Sequence, residues 1–286
     1  MPSVRSAAPR TSKSVLQQTV SLVRRELDAE PGARAELLRV QGTIEMVLGD
    51  APAAEATLEE AYRLINATNS PAVALQVLLD RVEAAGRQSE VEVMRRMVEE
   101  AAGLVAGNRF EAGLLARYHL QAGNLLQAEQ EHERAIAEFR EAVRLMEESG
   151  DDDDRFLADA YYEMAYTYSN WRRHEDAIEN AQRAVAILEE SVNPRTHLLI
   201  HPLRQIGFSQ LALNNFNAAR EPIERAMAVA RANFGELHSD VAAVHDTLGA
   251  LAYRTRRLAD AIHHYEEYAR ILVEIEGDAS RNLLIP

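Results

Sequence analysis

The chain has 286 residues, 47% hydrophobic and only 6% aromatic, with no cysteine and a net charge of -14 from 31 basic and 45 acidic side chains. The lack of thiols excludes disulfides and thiolate metal sites, and an acidic balance with no basic stripe to offset it repels phosphate backbones, which speaks against a nucleic-acid partner. No apolar run approaches the ~18 to 20 residues that a membrane helix needs, and lysine occurs once, as Lys13, an arginine bias expected of a bacterial coding sequence.

Residues 1–13 carry Arg5, Arg10 and Lys13 among serines and prolines, with no acid, a composition that cannot form a buried face and predicts a disordered basic tail. Such a start also resembles an organelle transit peptide, but Glu26 and Asp28 follow in the next helix and no apolar secretory segment lies near Met1, so the expected location is the cytoplasm. Over 14–30, Leu16, Val20, Val23 and Leu27 fall on one helical face and predict an N-terminal helix, a cap or half a repeat, stopped by Pro31-Gly32.

Residues 31–277 read as a run of helix pairs. A first copy, near 35–68, is marked by Leu38, Gly42, Gly49-Asp50, Ala54, Leu58 and Ala61. A second, degenerate copy near 75–108 places Leu78, Val82, Met94, Val98 and Ala101 in the same slots; Gly86 is expected to cut its first helix short. Ala102 to Phe110 reads as a loop around Gly103, Gly107 and Asn108, and any kink in the array is expected here. Four regular copies follow near 116–149, 158–191, 200–233 and 242–275, beginning at Ala116, Ala158, Ile200 and Ala242 in equal steps of 42 residues. Each has a small residue on its second helix (Ala135, Ala177, Ala219, Ala261), then Phe139, Ala181, Ile223 or Tyr265, then Ala142, Ala184, Ala226 or Tyr268. Twelve residues before the first of these sits Gly123, Ala165, Gly207 or Gly249, where two backbones must approach closely. The last helix is expected to end near Glu274 to Gly277. In the tail 278–286, Leu283, Leu284 and Ile285 are expected to fold back over the exposed end of the array, and homodimerisation through its ends stays open.

The stretches LGDAPAAEATLEEA, EHERAIAEFREA, HEDAIENAQRA, NNFNAAREPIERA and RLADAIHHYEEYA, with a glycine or alanine at minus twelve, resemble the tetratricopeptide repeat, whose usual period is ~34. The 42-residue spacing is similar to the longer variant of kinesin light chains and many bacterial regulators, although that variant's paired asparagines are replaced here by Asp246-Thr247 and Arg204-Gln205. The resemblance implies an all-α fold, a right-handed α-solenoid of about six antiparallel helix-pair repeats. It also implies that the first helices line a concave groove that holds a peptide or partner protein. Helical spacing places Arg117, Asn124, Tyr162, Tyr166, Asn170, Arg204, Phe208, Tyr253 and Arg254 on that face, with His201, Ser169 and Leu211 beside them. Flat aromatics, amides and arginine forks form the mixture that an extended peptide or a partner helix needs.

Nothing in the sequence offers a catalytic constellation, cofactor motif or metal site. The run Asp151 to Asp154 lacks the spaced ligands and glycine of a calcium loop, and reads as a solvated loop before a helix start. His263 and His264 point about 100° apart on a helix and cannot easily share one ion; together with His245 they read as structural or surface histidines. Trp171 reads as a plug between adjacent pairs. A non-catalytic protein-interaction scaffold is the first expectation. A regulatory or sensor module of a bacterial signalling system is the second, and a helical-repeat enzyme the least favoured.

Overall fold

The computed structural model describes residues 31–66, 70–150, 153–192 and 195–282. The expected basic tail, the N-terminal helix and the Leu283–Ile285 cap lie outside the described residues. Twelve α-helices make up the described chain: α1 (Pro31–Val47), α2 (Ala51–Asn66), α3 (Pro71–Arg87), α4 (Val91–Gly107), α5 (Ala112–Ala128), α6 (His132–Ser149), α7 (Asp154–Asn170), α8 (His174–Glu190), α9 (Ile200–Ala212), α10 (Phe216–Phe234), α11 (Ser239–Arg254) and α12 (Leu258–Asn282). A 3-10 turn, Thr196–Leu199, leads into α9. None of the described helices is long and apolar enough to cross a membrane.

A single turn geometry, used again and again, makes the pairs. Between the two helices of successive pairs one residue sits in the left-handed region, at Gly49, Ser89, Gln130, Arg172, Asn214 and Arg256, with φ between 59° and 76°. The following amide then donates back across the helix end, as from Arg173 to the Tyr168 carbonyl at 2.8 Å and from Asn215 to that of Gln210 at 2.9 Å. This is the helix stop in which a left-handed residue lets the chain reverse while satisfying orphan carbonyls. Only the first of the six uses glycine. The other five hold an L side chain there, because the closing hydrogen bonds and the packing of both helices fix the conformation despite its cost.

The chain divides into two compact units, Met1–Glu129 and Gln130–Pro286, with the division falling inside the predicted 116–149 repeat. In the first unit α1 packs on α2 and α3 on α4, with α5 against α3 and α4. Leu38, Ile65, Leu75, Leu78, Val82, Met94 and Ala101 form its core. At Gly42 a methyl group would lie 2.6 Å from Cγ of Leu58, so the α1–α2 crossing requires glycine.

Two expectations fail here. The first helix of the second pair is not cut short: α3 runs 17 residues without a break, through Gly86, to Arg87. Nor does a loop span 102–110, since α4 continues through Gly103 to Gly107. Glycine inside a helix costs only about 1 kcal/mol, and burial of Met94, Met97, Val98 and Ala101 on the inner face of α4 outweighs it. Pro31-Gly32, read as a stop, opens α1, where a proline without an amide hydrogen fits the first turn.

In the second unit α6 packs on α7, and α7–α8, α9–α10 and α11–α12 are pairs, each second helix packing on the next first helix. The small residues do what their spacing demands: Ala177, Ala181, Ala184, Ala219 and Ala226 are fully buried, as are Phe139 and Ile223. A methyl on Gly207 would overlap the Ile223 side chain. The helix after the Asp run starts at Asp154, capped by the Asp153 carboxylate, which accepts a 3.1 Å hydrogen bond from the Phe156 amide. Trp171 stacks between His132 and Tyr168, with ring centroids at 6.2 and 6.4 Å. Helix α12 extends to Asn282, past the end expected near Gly277.

Candidate functional site

The residues assigned to the groove are divided between the two units. The structure sorts them by what each touches. In the first unit, Arg117 on α5 donates to the Asp80 carboxylate of α3 at 2.7 Å, and Arg39 on α1 reaches the other oxygen of that carboxylate at 3.1 Å. Asp80 is almost fully buried. One acid therefore ties three first helices together, and Arg117 is part of that tie. Asn124 donates to Gln121 at 3.2 Å along α5.

In the second unit the first helices α7, α9 and α11 lie side by side. Tyr162 and Tyr166, one turn apart on α7, have ring centroids at 6.5 Å, and Tyr162 faces His201 of α9 at 5.8 Å. Arg204 and Phe208 follow His201 at one-turn intervals, which puts all three on the same side of α9. Tyr166 and Phe208 stay 40% and 48% exposed, large values for aromatics on packed helices. Across the row, His201 Nε2 lies 3.7 Å from the Asp240 carboxylate in the first turn of α11.

Arg204 differs from the arginines of the first unit. Among the described residues no carboxylate pairs with it, whereas Arg34, Arg39, Arg81 and Arg117 each have one; its buried Nε lacks a hydrogen-bond partner, as do those of Arg34, Arg39 and Arg81. Its charge acts on its neighbours instead. Burial pushes the His201 imidazole below its ordinary value; Asp240 opposes that shift and Arg204 adds to it. Burial likewise raises the Tyr162 phenol, reinforced by Glu163 and opposed by Arg204. At neutral pH the row therefore holds a neutral imidazole, two phenols, an exposed phenyl ring and one uncompensated guanidinium.

Three assigned residues lie apart from this cluster. Tyr253 on α11 is 60% exposed. Arg254 next to it donates to the Asn214 side chain at 2.6 Å and lies 5.6 Å over the Phe216 ring, and so is engaged by the α9–α10 turn. Asn170 is exposed at the end of α7. Ser169 and Leu211, placed beside the groove by helical spacing, are buried. A strict 3.6-residue wheel cannot tell a groove position from one that meets the neighbouring pair.

Sequence reasoning missed two features. Asp240 is 39 residues from His201 and joins it only because successive pairs align their first helices. His264, taken with His263 as a doublet, faces His245 of α11 instead, with the two Nδ1 atoms 3.1 Å apart. His245 is almost fully buried, its Nε2 has no partner, and its pKa falls to about 4, chiefly through burial and then through His264.

Residues 114–190 and 198–272 match the family described as Tetratricopeptide repeat. A comparison with the curated proteins gives no match. Among solved structures, the chain is similar in fold to BtubC (BKLC) from P. vanneervenii, with a TM-score of 0.63 at 19% identity over 77% of this chain and 89% of that one. It is also similar to a Rap protein complexed with competence and sporulation factor, with a TM-score of 0.66 at 12% identity over 91% and 81% of the two chains. A third is aspartyl phosphate phosphatase F from Bacillus subtilis, with a TM-score of 0.61 at 14% identity over 92% and 76%.

Proposed function

The chain belongs to the tetratricopeptide repeat family, a helical-repeat scaffold for protein interactions, and we propose that it is a non-enzymatic adaptor that holds a peptide or partner protein on the first-helix row of its second unit. The reading rests on Arg204. Leaving a guanidinium partly buried without an acid costs stability, and the cost has a purpose if a ligand brings the acid. The exposed rings of Tyr166 and Phe208 flank it and offer apolar area at low entropic cost. The ligand that fits is an extended segment with a carboxylate, from a side chain or a chain end, next to an apolar or aromatic residue. The Rap protein of similar fold was solved with a bound factor, which supports a partner of this general kind. The likeness to a phosphatase is one of fold alone. We place the adaptor in the cytoplasm.

The test is fluorescence polarisation with a panel of acidic and C-terminal peptides against the wild type, Arg204→Ala and Phe208→Ala. Peptides that bind the wild type and lose affinity with both variants support the site. Peptides that bind all three proteins equally move the interaction elsewhere.

A further inference from the structure

His201 stands where a ligand seated on Arg204 would meet it. The two residues are three apart on α9, which puts their Cβ atoms about 5 to 6 Å from each other on one face of the helix. The His201 side chain is 47% exposed, so the ring is open to a ligand. Around the imidazole, α7 contributes the Tyr162 phenol, with ring centroids at 5.8 Å, and α11 contributes Asp240. The Asp240 carboxylate stops 3.7 Å from Nε2, beyond hydrogen-bond reach, and it also lies 3.5 Å from His238 Nδ1. Among the described residues, Asp240 and Arg204 are the charged groups that act on the ring.

In the free protein these neighbours favour the neutral imidazole. Packing strips part of its water, the guanidinium of Arg204 repels a second positive charge, and one acid at 3.7 Å offsets them only in part. A carboxylate docked on Arg204 reverses that balance. It cancels the repulsion from the guanidinium and brings a second acid within reach of a ring that already faces Asp240.

We propose that His201 is the ligand's second contact: it takes up a proton from solvent as a carboxylate docks on Arg204, and the imidazolium then bridges that carboxylate and Asp240. The inference rests on the reading of Arg204 as the carboxylate's seat. It adds a property that an arginine alone does not confer. An arginine is charged and a peptide carboxylate ionised throughout pH 5.5 to 7.5, so a site made of that pair binds equally across the range. A site that also takes up a proton binds more tightly as the pH falls, because the complex holds a proton that the free protein lacks.

The test uses two peptides, one ending in a phenylalanine with a free carboxylate and one with an internal Asp-Phe pair, each carrying a rhodamine dye that does not titrate in this range. Fluorescence polarisation at pH 7.5, 6.5 and 5.5 compares the wild type, His201→Gln and Arg204→Ala, with circular dichroism at each pH to show that the helices persist. Wild-type affinity should rise about fivefold from pH 7.5 to 5.5, and His201→Gln should abolish the rise. Calorimetry at pH 6.5 in two buffers of different ionisation heat should show proton uptake by the wild type and none by His201→Gln. A flat affinity that Arg204→Ala still weakens overturns the inference and leaves the Arg204 site standing. A rise that His201→Gln retains overturns it as well, because the proton then belongs to another group. If neither peptide shows Arg204-dependent binding at any pH, the inference falls together with the reading it rests on.

Discussion

The two units are built from the same helix pair but differ in how the arginines of their first-helix rows are paired. In the first unit the arginines have acids: Arg34 pairs with Glu60, Arg39 and Arg117 share Asp80, and the buried Arg81 pairs with Glu55 and lies 5.5 Å over the Tyr62 ring. In the second unit the corresponding row carries rings and an arginine with no acid. A charge compensated inside the fold fixes the register of helices, whereas an uncompensated one at a partly open face is available to a ligand. On this account, two of the residues assigned to one groove, Arg117 and Arg204, do different work.

The largest effect expected from breaking the comparison is at Asp80. Replacing it with alanine leaves two guanidinium groups facing an apolar gap, and should destabilise the first unit by about 3 kcal/mol, at the low end for a buried ion pair because both arginines keep some solvent. Hydrogen exchange should show faster opening of α1, α3 and α5 with little change in α9 to α12. Equal loosening of both units would mean that the tie is not local.

Acid should act on the other unit. Of the nine histidines, only His119 lies in the first unit. His245 faces His264, His263 and Glu267 of α12 and Arg231 of α10. Its folded value of about 4 lies below the unfolded value of 6.5. The unfolded chain therefore binds the proton first, so the stability from the neutral pair is fully present above pH 6.5 and is lost as pH falls towards 4. His264 is shifted the same way, mainly by burial. A loss of ~2 kcal/mol is expected for the second unit over that window. Urea titrations at pH 7 and pH 4.5 should show the difference for the wild type and a smaller one for His245→Gln. A pH-independent midpoint would dismiss the pair.

Binding comes next in size. Arg204→Ala should cost a carboxylate ligand about tenfold in affinity, ~1.4 kcal/mol, with the melting temperature unchanged or slightly raised, since it removes an unpaired buried nitrogen. Arg117→Ala should leave affinity unchanged. Equal losses for both would restore a groove shared by all the assigned residues.

The sequence carried the fold because the repeat constrains the chain at fixed steps: the buried alanines, the close crossing at Gly207 and the pair boundaries all follow from a 42-residue spacing. The second pair was misjudged because glycine was given more power to end a helix than it has beside a packed face. The site was legible only in part. Spacing along one helix located Tyr162, Tyr166, Arg204 and Phe208 on a common side, but not the partners of Arg117 and Arg254, which come from neighbouring pairs. His245 and His264 lie 19 residues apart on two helices, and no local pattern announces such a contact.

The smallest predicted effect concerns the turns, where only the first of the six described reversals uses glycine. The first pair of the first unit reverses at Gly49, whereas the last pair of the second reverses at Arg256, with φ of 62°. A left-handed L residue costs about 1 to 2 kcal/mol relative to its preferred regions, and glycine removes that strain while adding roughly 0.5 to 1 kcal/mol of unfolded-state entropy. Arg256 is exposed, so little packing is lost with its side chain. Arg256→Gly should therefore stabilise the second unit by about 0.5 kcal/mol, while Gly49→Ala should destabilise the first by about 1 kcal/mol. Opposite signs in paired denaturation curves would support strain stored in the turns that lack glycine; loss of stability in both would show that the hydrogen bonds across the reversal outweigh the φ preference.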